Sequence, residues 1–230
     1  MIPGLTSDED VPGHHAVNAD NAVPMDWAAL GIGLIVAFYW VRVLILIGTT
    51  WRLTGRPANI LPPEPVGRAV RIAEIPVVAA WIVLPLLTAL SIRLPAPMQP
   101  LFGNSIVKMA ALVTSSAAMG ATLLCWREMG PSWRIGIDPG EKTRLIVTGP
   151  YAFVRHPIYA LSSLLMLATM MTVPSPLMLA VGIAHLILLQ WEARREEQYL
   201  RRVHGDEYAD YGRRVGRFIP RSLSPYQSPR

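Results

Sequence analysis

The chain has 230 residues, of which 52% are hydrophobic and only 16% are charged. Charged residues make up about a quarter of an ordinary soluble domain, so this composition excludes a typical soluble protein and indicates an integral membrane protein. The formal net charge is +5, but most arginines flank apolar runs, which favours contact with an anionic membrane face and no nucleic-acid partner. Cys125 is the single cysteine, which excludes an internal disulfide and a Cys-x-x-Cys metal site.

Residues 1–26 are acidic and rich in Pro, Gly and Asn. We predict a flexible N-terminal tail, in which His14 and His15 are not a metal pair. Three apolar runs follow at 27–47, 75–92 and 105–126, each long enough to cross a hydrocarbon core of about 30 Å. Residues 49–73 between the first two are predicted to form a polar loop.

Two prolines in the second span and one arginine in the first span have specific expected positions. Pro76 suits the first turn of the second span, and Pro85 is predicted to kink it. Arg42 falls in the last third of the first span. Snorkelling of its side chain to the nearer interface is favoured over a buried role as partner of an anionic group.

Two shorter apolar runs, at 156–172 and 176–191, are separated by a tight turn and predict a helical hairpin across the bilayer. The polar segments at 49–73, 127–156 and after residue 191 are basic, whereas the other connections are poor in Lys and Arg. The positive-inside rule therefore places the C-terminus in the cytoplasm and the N-terminus outside. The prediction is an all-α protein with about five transmembrane helices.

The polar region after the last span is expected to contain one helix break. Gly205 is a plausible end for the helix that continues from the membrane, with a short amphipathic piece after it. Arg213 and Arg214 are expected to anchor the chain at the membrane surface. Residues 222–230 are then a C-terminal tail.

Residues 149–159 concentrate polar chemistry where the basic segment meets the hairpin. Pro157 lacks a backbone donor and suits a helix start, whose free N–H groups attract carboxylate or phosphate. Arg155 and His156 add charge-assisted donors, and Tyr151 and Tyr159 add hydroxyls and flat ring faces. Such residues are also common at membrane interfaces without function, so composition leaves the two interpretations equal.

Residues 191–200 continue the fifth span out of the membrane. Glu192 and Glu196 are four residues apart, a spacing at which like charges repel on a helix. One interpretation is neutralisation by Arg194 and Arg195. The other is a carboxylate that faces a ligand group in need of an acceptor, such as a ribose or an ammonium.

An ordered series of motifs connects these two stretches. It reads Leu-Ile-Val-Thr-Gly-Pro-Tyr at 145–151, Arg-His-Pro-Ile-Tyr at 155–159, Glu-Glu-x-x-Leu at 196–200, Gly-Asp-Glu-Tyr-x-x-Tyr at 205–211 and Arg-x-x-Pro at 217–220. Over roughly residues 127–221 this series resembles the isoprenylcysteine carboxyl methyltransferases and the related phospholipid methyltransferases. We therefore take 127–221 as a methyltransferase-like catalytic region and 27–126 as three helices that resemble the family only as membrane spans.

The resemblance implies S-adenosylmethionine as cofactor and methyl donor, and a lipophilic or small hydrophobic substrate that enters from the bilayer. The implied cofactor-binding residues are Gly149, Tyr151, Arg155, His156, Pro157, Tyr159, Glu196, Glu197 and Leu200, and the implied catalytic residues are Arg155, Glu197 and Arg217. Among them, Arg155, His156 and Tyr159 would hold the amino-acid end of the cofactor. The last three of the cofactor-binding set would line its ribose and adenine. Arg217 matches an arginine near the methyl acceptor.

Two features depart from the family pattern. The family motif often continues Arg-His-Pro-x-Tyr-x-Gly, but position 161 is Leu here, which changes the local space for a ligand. The segment at 134–140 is individual to this chain and is a candidate substrate lid. The expected reaction needs no metal. Glu196 or Glu197 is the candidate base if the acceptor is an amine.

The resulting hypothesis is methyl transfer to a lipophilic acceptor at the cytoplasmic membrane face, the acceptor being an isoprenylcysteine-like carboxylate, a phospholipid amine or a hydrophobic thiol. Membrane lipids are the expected surroundings. One alternative is an NADPH-dependent membrane oxidoreductase, since sterol reductases have similar C-terminal helices and Arg-His-Pro-x-Tyr-like residues. Another is a non-catalytic membrane scaffold.

Overall fold

The computed structural model describes residues 24–55, 60, 62, 64–133, 135 and 144–228. His14, His15 and all but Ile135 of the segment at 134–140 lie outside these residues. Five α-helices follow one another in the described part of the chain, joined by short 3-10 turns. The helices are α1 (Trp27–Thr54), α2 (Pro65–Ala89), α3 (Ser105–Met129), α4 (Pro157–Thr172) and α5 (Pro176–Arg214). The all-α prediction is confirmed.

Four of these helices, α1, α2, α3 and α5, are long and apolar enough to cross a membrane, and α4 is a shorter apolar helix. At 1.5 Å per residue, the 16 residues of α4 extend for about 24 Å. Large apolar side chains such as Leu44, Ile75, Ile106 and Ile187 are exposed on the outer faces of the helices. Exposure of this kind suits lipid rather than water, so the protein is an integral membrane protein.

At the end of the bundle that carries the basic segments, α1, α2 and α5 extend further than their apolar runs, whereas at its other end α2 stops at Ala89, before the end of the run at 75–92. The predicted loop at 49–73 is wrong at both ends, because α1 continues to Thr54 and α2 begins at Pro65. Pro65 occupies the first turn of α2, and Pro76 lies inside the helix with Pro85, so the prediction of Pro76 as a first-turn residue is also wrong. Hydrophobicity marks the stretch that crosses the bilayer, whereas a helix continues until its backbone is capped.

The break predicted at Gly205 is confirmed within the long α5. Gly205 has φ 53° and ψ −124°, a conformation outside the helical region, and the helix resumes after it as far as Arg214. A positive φ is readily adopted by glycine because it has no Cβ. The last two turns of α5 can therefore change direction and lead the chain back towards the start of α4.

The helices pack around a core that includes Ile32, Val36, Trp81, Met166 and Met178, each fully buried. One end of the bundle is tied together by short-range polar contacts. The carboxylate of Asp26 caps α1 by accepting from the Ala29 N–H at 3.0 Å and pairs with Lys108 of α3 at 2.5 Å. The Leu101 N–H donates to the Pro174 carbonyl in the hairpin turn. The opposite end carries the basic segments and the site described next.

Candidate functional site

The C-terminal segment after α5 pairs with the residues just before α4. Val154 and Gly216 form an isolated parallel bridge. The Arg155 N–H donates to the Gly216 carbonyl at 2.8 Å, and the His156 N–H donates to the Arg217 carbonyl at 3.0 Å. These main-chain donors are therefore satisfied within the chain. A ligand at this helix start must be held by the Arg155 and His156 side chains and by the N–H groups further into the first turn.

Two tyrosines strengthen this pairing from the last turns of α5 and the C-terminal tail. The Tyr211 hydroxyl donates to the Tyr151 carbonyl at 2.7 Å. The Tyr226 N–H donates to the Ala152 carbonyl at 3.0 Å, and its hydroxyl contacts Asp210 at 3.1 Å. The segment at 151–156 is thus held between α5 and the tail, which fixes the position of its side chains.

Glu197 of α5 is the charged centre of the site. Its carboxylate accepts two hydrogen bonds from the Arg217 guanidinium, from Nε at 2.8 Å and from Nη2 at 2.6 Å. Nη2 of Arg155 lies 3.3 Å from the same carboxylate, and Nε2 of His156 lies 3.4 Å from it. Glu197 is only 4% exposed. One buried carboxylate therefore organises three basic side chains that come from two different segments.

His156 lies between two carboxylates and two aromatic rings. Its Nδ1 is 3.5 Å from Glu196, its ring stacks on Tyr159 at 5.4 Å between centroids, and Phe218 contacts its edge at 6.2 Å. Burial disfavours the imidazolium, but the carboxylates of Glu196 and Glu197 outweigh this effect and raise the pKa of His156 above its ordinary 6.5. The charged form is therefore stabilised in the folded protein.

We expect this raised pKa to make stability depend on pH. A group whose folded pKa lies above its unfolded value contributes stability fully below about pH 6.5, and this contribution is lost as the pH rises through the folded pKa. The melting temperature of the wild type in detergent should therefore exceed that of His156→Gln by more at about pH 6 than at about pH 9.

The matched control is Ser163→Ala, since Ser163 bonds the Tyr159 carbonyl of its own helix and does not titrate. Its difference from the wild type should be the same at both pH values. A His156→Gln difference that stays constant with pH would show that His156 does not become charged on folding.

A cavity with about 960 Å³ of empty space, part of it open to solvent, lies beside this cluster. Its polar wall includes Tyr151, Arg155, His156 and Glu196. Its other walls are mainly aromatic and aliphatic side chains of α1, α2, α3 and the turn after α3. They include Tyr39, Trp40, Val43, Val77, Trp126, Trp133 and Ile135. The cavity therefore joins a charged rim to an apolar interior, an arrangement typical of small-molecule sites.

A second charged cluster lies on the α2 side of the same cavity. Arg71 forms an ion pair with Glu74 and lies 3.9 Å from Glu192 of α5. Glu192 is 3% exposed and also accepts from Arg195 Nη1 at 3.1 Å. Arg195 in turn pairs with Glu64 at the start of α2. Salt bridges thus join α2 to α5 at the rim of the cavity.

Most of the predicted site residues are brought together. Tyr151, Arg155, His156, Pro157, Tyr159 and Glu196 line the cavity, and Glu197 and Arg217 form the ion pair behind them. Two predicted residues lie elsewhere. Gly149 has φ +58° and packs against Glu128, so it serves the backbone turn. Leu200 packs against the small apolar cluster of Leu145, Tyr208, Tyr211 and Val215.

The cavity also contains residues that were not predicted for the site. Arg71 and Glu74 come from α2, and Ser162 and His185 lie inside the apolar runs of the hairpin. A histidine within a membrane-spanning run is a recognisable signal, because ionisable groups are costly in lipid and are seldom kept there without a role. Arg71 lies beside Glu192, which is 121 residues away along the chain, so spacing along the chain does not reveal this contact.

Several polar atoms on the cavity wall have no hydrogen-bond partner in the described part of the chain. They are Tyr151 Oη, Arg155 Nε, His156 Nε2 and Glu192 Oε1, and the last two have an ionic partner at 3.4 Å and 3.9 Å. Unpaired buried polar atoms cost free energy, typically about 1–3 kcal/mol each, and therefore call for a ligand or water. The wall offers both donors and acceptors, which fits a ligand with charges of both signs.

Comparison with known proteins agrees with this geometry. The family model described as phospholipid methyltransferase matches residues 107–207. A search of the curated proteins finds no match to this chain. The matched region takes in α3, the 149–156 segment, the hairpin and the Glu196-Glu197 pair, and stops before Arg217. Residues 107–207 are therefore a domain of the phospholipid methyltransferase family, a family of integral membrane methyltransferases that includes the isoprenylcysteine carboxyl methyltransferases.

Proposed function

We propose that this protein transfers the methyl group of S-adenosylmethionine to a lipophilic acceptor at the cytoplasmic face of a membrane. The observation that carries the proposal is the buried Glu197 carboxylate, which holds Arg217, Arg155 and His156 beside an aromatic cavity within the helix bundle. The family match supports methyl transfer as the reaction class.

The residues on the cavity wall fit the cofactor by the chemistry of their groups. The Arg155 and His156 side chains can pair with its carboxylate, and Arg155 Nε and His156 Nε2 have no hydrogen-bond partner among the described residues. Glu196 and Glu192 Oε1, which accepts no hydrogen bond from the described residues, can accept from its ammonium and ribose groups. When bound, the cofactor supplies a methyl group already activated on a sulfonium. The task of the chain is therefore to orient the two reactants and to exclude water.

The contacts separate the roles of the two neighbouring glutamates. Glu197 is engaged by three basic groups, so it is poorly suited to take up a proton and better suited to position Arg155 and His156. Glu196 lines the cavity and its side chain is 30% exposed. We therefore assign Glu196 as the base if the acceptor is an amine. A carboxylate or thiolate acceptor needs no base, because it is nucleophilic once ionised.

The proposed orientation is supported by how the polar segments segregate. The ends of α1 and α3, the starts of α2 and α4, and the C-terminal segment all lie at the end of the bundle that carries Arg52, Arg68, Arg71 and Arg127. Basic residues favour the cytoplasmic side. We therefore place the site and the C-terminus in the cytoplasm and the start of α1 outside.

Cofactor binding gives the direct test. We expect purified protein in detergent to bind S-adenosylmethionine saturably by calorimetry, and His156→Ala to weaken this binding by about 10-fold or more, because a charge-assisted contact contributes about 1.5–3 kcal/mol. Ser163→Ala, about two turns further along α4, should bind normally. Saturable NADPH binding without S-adenosylmethionine binding would contradict the proposed function and support the reductase alternative.

The methyl acceptor can be identified from the methylated products. Native membrane lipids and small hydrophobic acids or thiols are incubated with protein and isotopically labelled methyl donor, and labelled products are identified by mass spectrometry. The proposal requires a labelled product that disappears with His156→Ala and persists with Ser163→Ala.

A further inference from the structure

Two polar side chains meet at the inner end of the cavity, within the membrane-spanning hairpin. The Ser162 hydroxyl of α4 and Nε2 of His185 of α5 are 3.1 Å apart. Ser162 is 3% exposed and His185 is 6% exposed, and both line the cavity. Neither belongs to the charged rim, because His185 precedes Glu192 by seven residues, which is about 10 Å along α5.

Trp81 of α2 packs against the His185 ring of this pair. Its ring is fully buried and lies 4.7 Å from the His185 ring between centroids. The Trp81 indole N–H donates to the Thr169 hydroxyl at 3.0 Å, which fixes the ring. The His185 ring therefore packs against a buried aromatic side chain on one side, and together with Ser162 it adds polar atoms to the wall of the cavity.

The Ser162 hydroxyl also bonds the Tyr39 hydroxyl of α1, but the pair has hydrogen-bonding capacity beyond these two bonds. A neutral imidazole has one donor nitrogen and one acceptor nitrogen, and a hydroxyl has one donor and two acceptor sites. In the part of the chain that the structure describes, the only hydrogen bond of His185 is the one to Ser162. Polar groups inside a membrane-spanning bundle are costly, and a role in packing alone would be filled equally well by apolar side chains.

We propose that Ser162 and His185 form a hydrogen-bonding subsite for a hydroxyl group of the acceptor, at the end remote from the atom that is methylated. A hydroxyl suits the pair because it can both donate and accept. An uncharged group suits the pair, because neither side chain forms an ion pair with a described residue and Glu192, the next charge along α5, lies about 10 Å away from His185. The favoured acceptor is thus a lipophilic alcohol or phenol whose reactive atom lies roughly 10 Å from that hydroxyl. This inference rests on the proposed function for its assignment of the cavity to the acceptor.

The test uses two small probes that differ in one group, 4-methylphenol and 1,4-dimethylbenzene. Binding to the full chain in lipid nanodiscs is measured by calorimetry, with the heat of empty nanodiscs subtracted. The ratio of the two affinities is compared between wild type and variants, so that partition of each probe into lipid cancels. We expect Ser162→Ala and His185→Phe each to reduce the preference for the phenol by roughly 2- to 12-fold, the effect of one neutral hydrogen bond.

Ser163→Ala is the matched control, because Ser163 is the next residue of α4 and bonds its own helix backbone. It should leave the ratio unchanged. Ser162→Cys, which is close in volume to serine but a weaker donor, should give an intermediate ratio and serves if the alanine variant does not fold. S-adenosylmethionine affinity is measured for each variant and should stay at the wild-type value.

The outcomes separate the subsite from the proposed function. An unchanged ratio in Ser162→Cys and His185→Phe, or a wild type that binds no phenol, overturns the subsite. A wild type that prefers the phenol through Ser162 but binds no S-adenosylmethionine keeps the subsite and overturns the proposed methyl transfer. Normal cofactor binding with no hydroxyl preference overturns the subsite alone.

Discussion

Replacing Glu197 with glutamine is expected to weaken S-adenosylmethionine binding by about 10- to 100-fold, because Arg155 and His156 lose the carboxylate that positions them. The change also leaves three basic groups close together without their shared counter-charge. Removal of one partner from a buried ion pair costs about 3–5 kcal/mol. We expect the low end here, since the Arg217 side chain is 28% exposed. The measurements are calorimetry for binding and a melting curve in detergent for stability.

Glu207→Gln is the matched control for this substitution. Glu207 lies on the same helix, its side chain is 55% exposed, and its nearest basic partner is His204 at 4.0 Å. Exposed pairs of this kind contribute little, about 0–1 kcal/mol. Glu207→Gln should therefore keep both cofactor affinity and melting temperature. Wild-type cofactor affinity in Glu197→Gln would show that the carboxylate does not organise the cofactor site.

Replacing Arg217 with alanine is expected to reduce methyl transfer more than it reduces cofactor affinity. Arg217 contacts Glu197 through both Nε and Nη2, whereas Arg155 and His156 still hold that carboxylate in its absence. A displacement of about 1 Å in a catalytic arrangement can lower the rate about 100-fold. We therefore expect kcat to fall by about 100-fold and the Kd of S-adenosylmethionine to rise by less than about 10-fold.

A conservative variant of Arg217 and a matched control at another arginine test this interpretation. Arg217→Lys keeps the charge but loses the planar fork that bonds both carboxylate oxygens, so an intermediate kcat is expected. Arg213→Ala removes an arginine whose side chain is 71% exposed and pairs with Asp210, and it should behave as wild type. Equal losses in affinity and rate for Arg217→Ala would place Arg217 with the cofactor rather than with the acceptor.

The membrane architecture could be predicted because it depends on local properties. The apolar runs at 27–47 and 105–126 lie within α1 and α3, and the tight turn before Pro176 separates α4 from α5. The helix boundaries at the polar end could not be predicted in the same way. Hydrophobicity reports where lipid surrounds the chain, and Arg52 at the end of α1 continues a helix into water without any apolar signal.

The sequence predicted the residues that the C-terminal half of the chain contributes to the candidate site, but not those that α2 contributes. The Arg155-His156-Pro157 motif and the Glu196-Glu197 pair carry polar chemistry at recognisable positions, and the structure brings them together. Arg71 and Glu74 were not predicted for the site. Their place on the cavity wall depends on the packing of α2 against α5, which no spacing along the chain encodes.

The sequence by itself determined that this chain crosses a membrane as a set of helices and that a Pro-opened helix presents basic and aromatic groups at one interface. Both follow from the period and polarity of neighbouring residues. Only the tertiary structure decided that Glu197 is shared by Arg155, His156 and Arg217, and that Ser162 and His185 meet above Trp81. The physical reason is that ion pairs and buried hydrogen bonds depend on distances of 3–4 Å between separate segments, and only packing sets those distances.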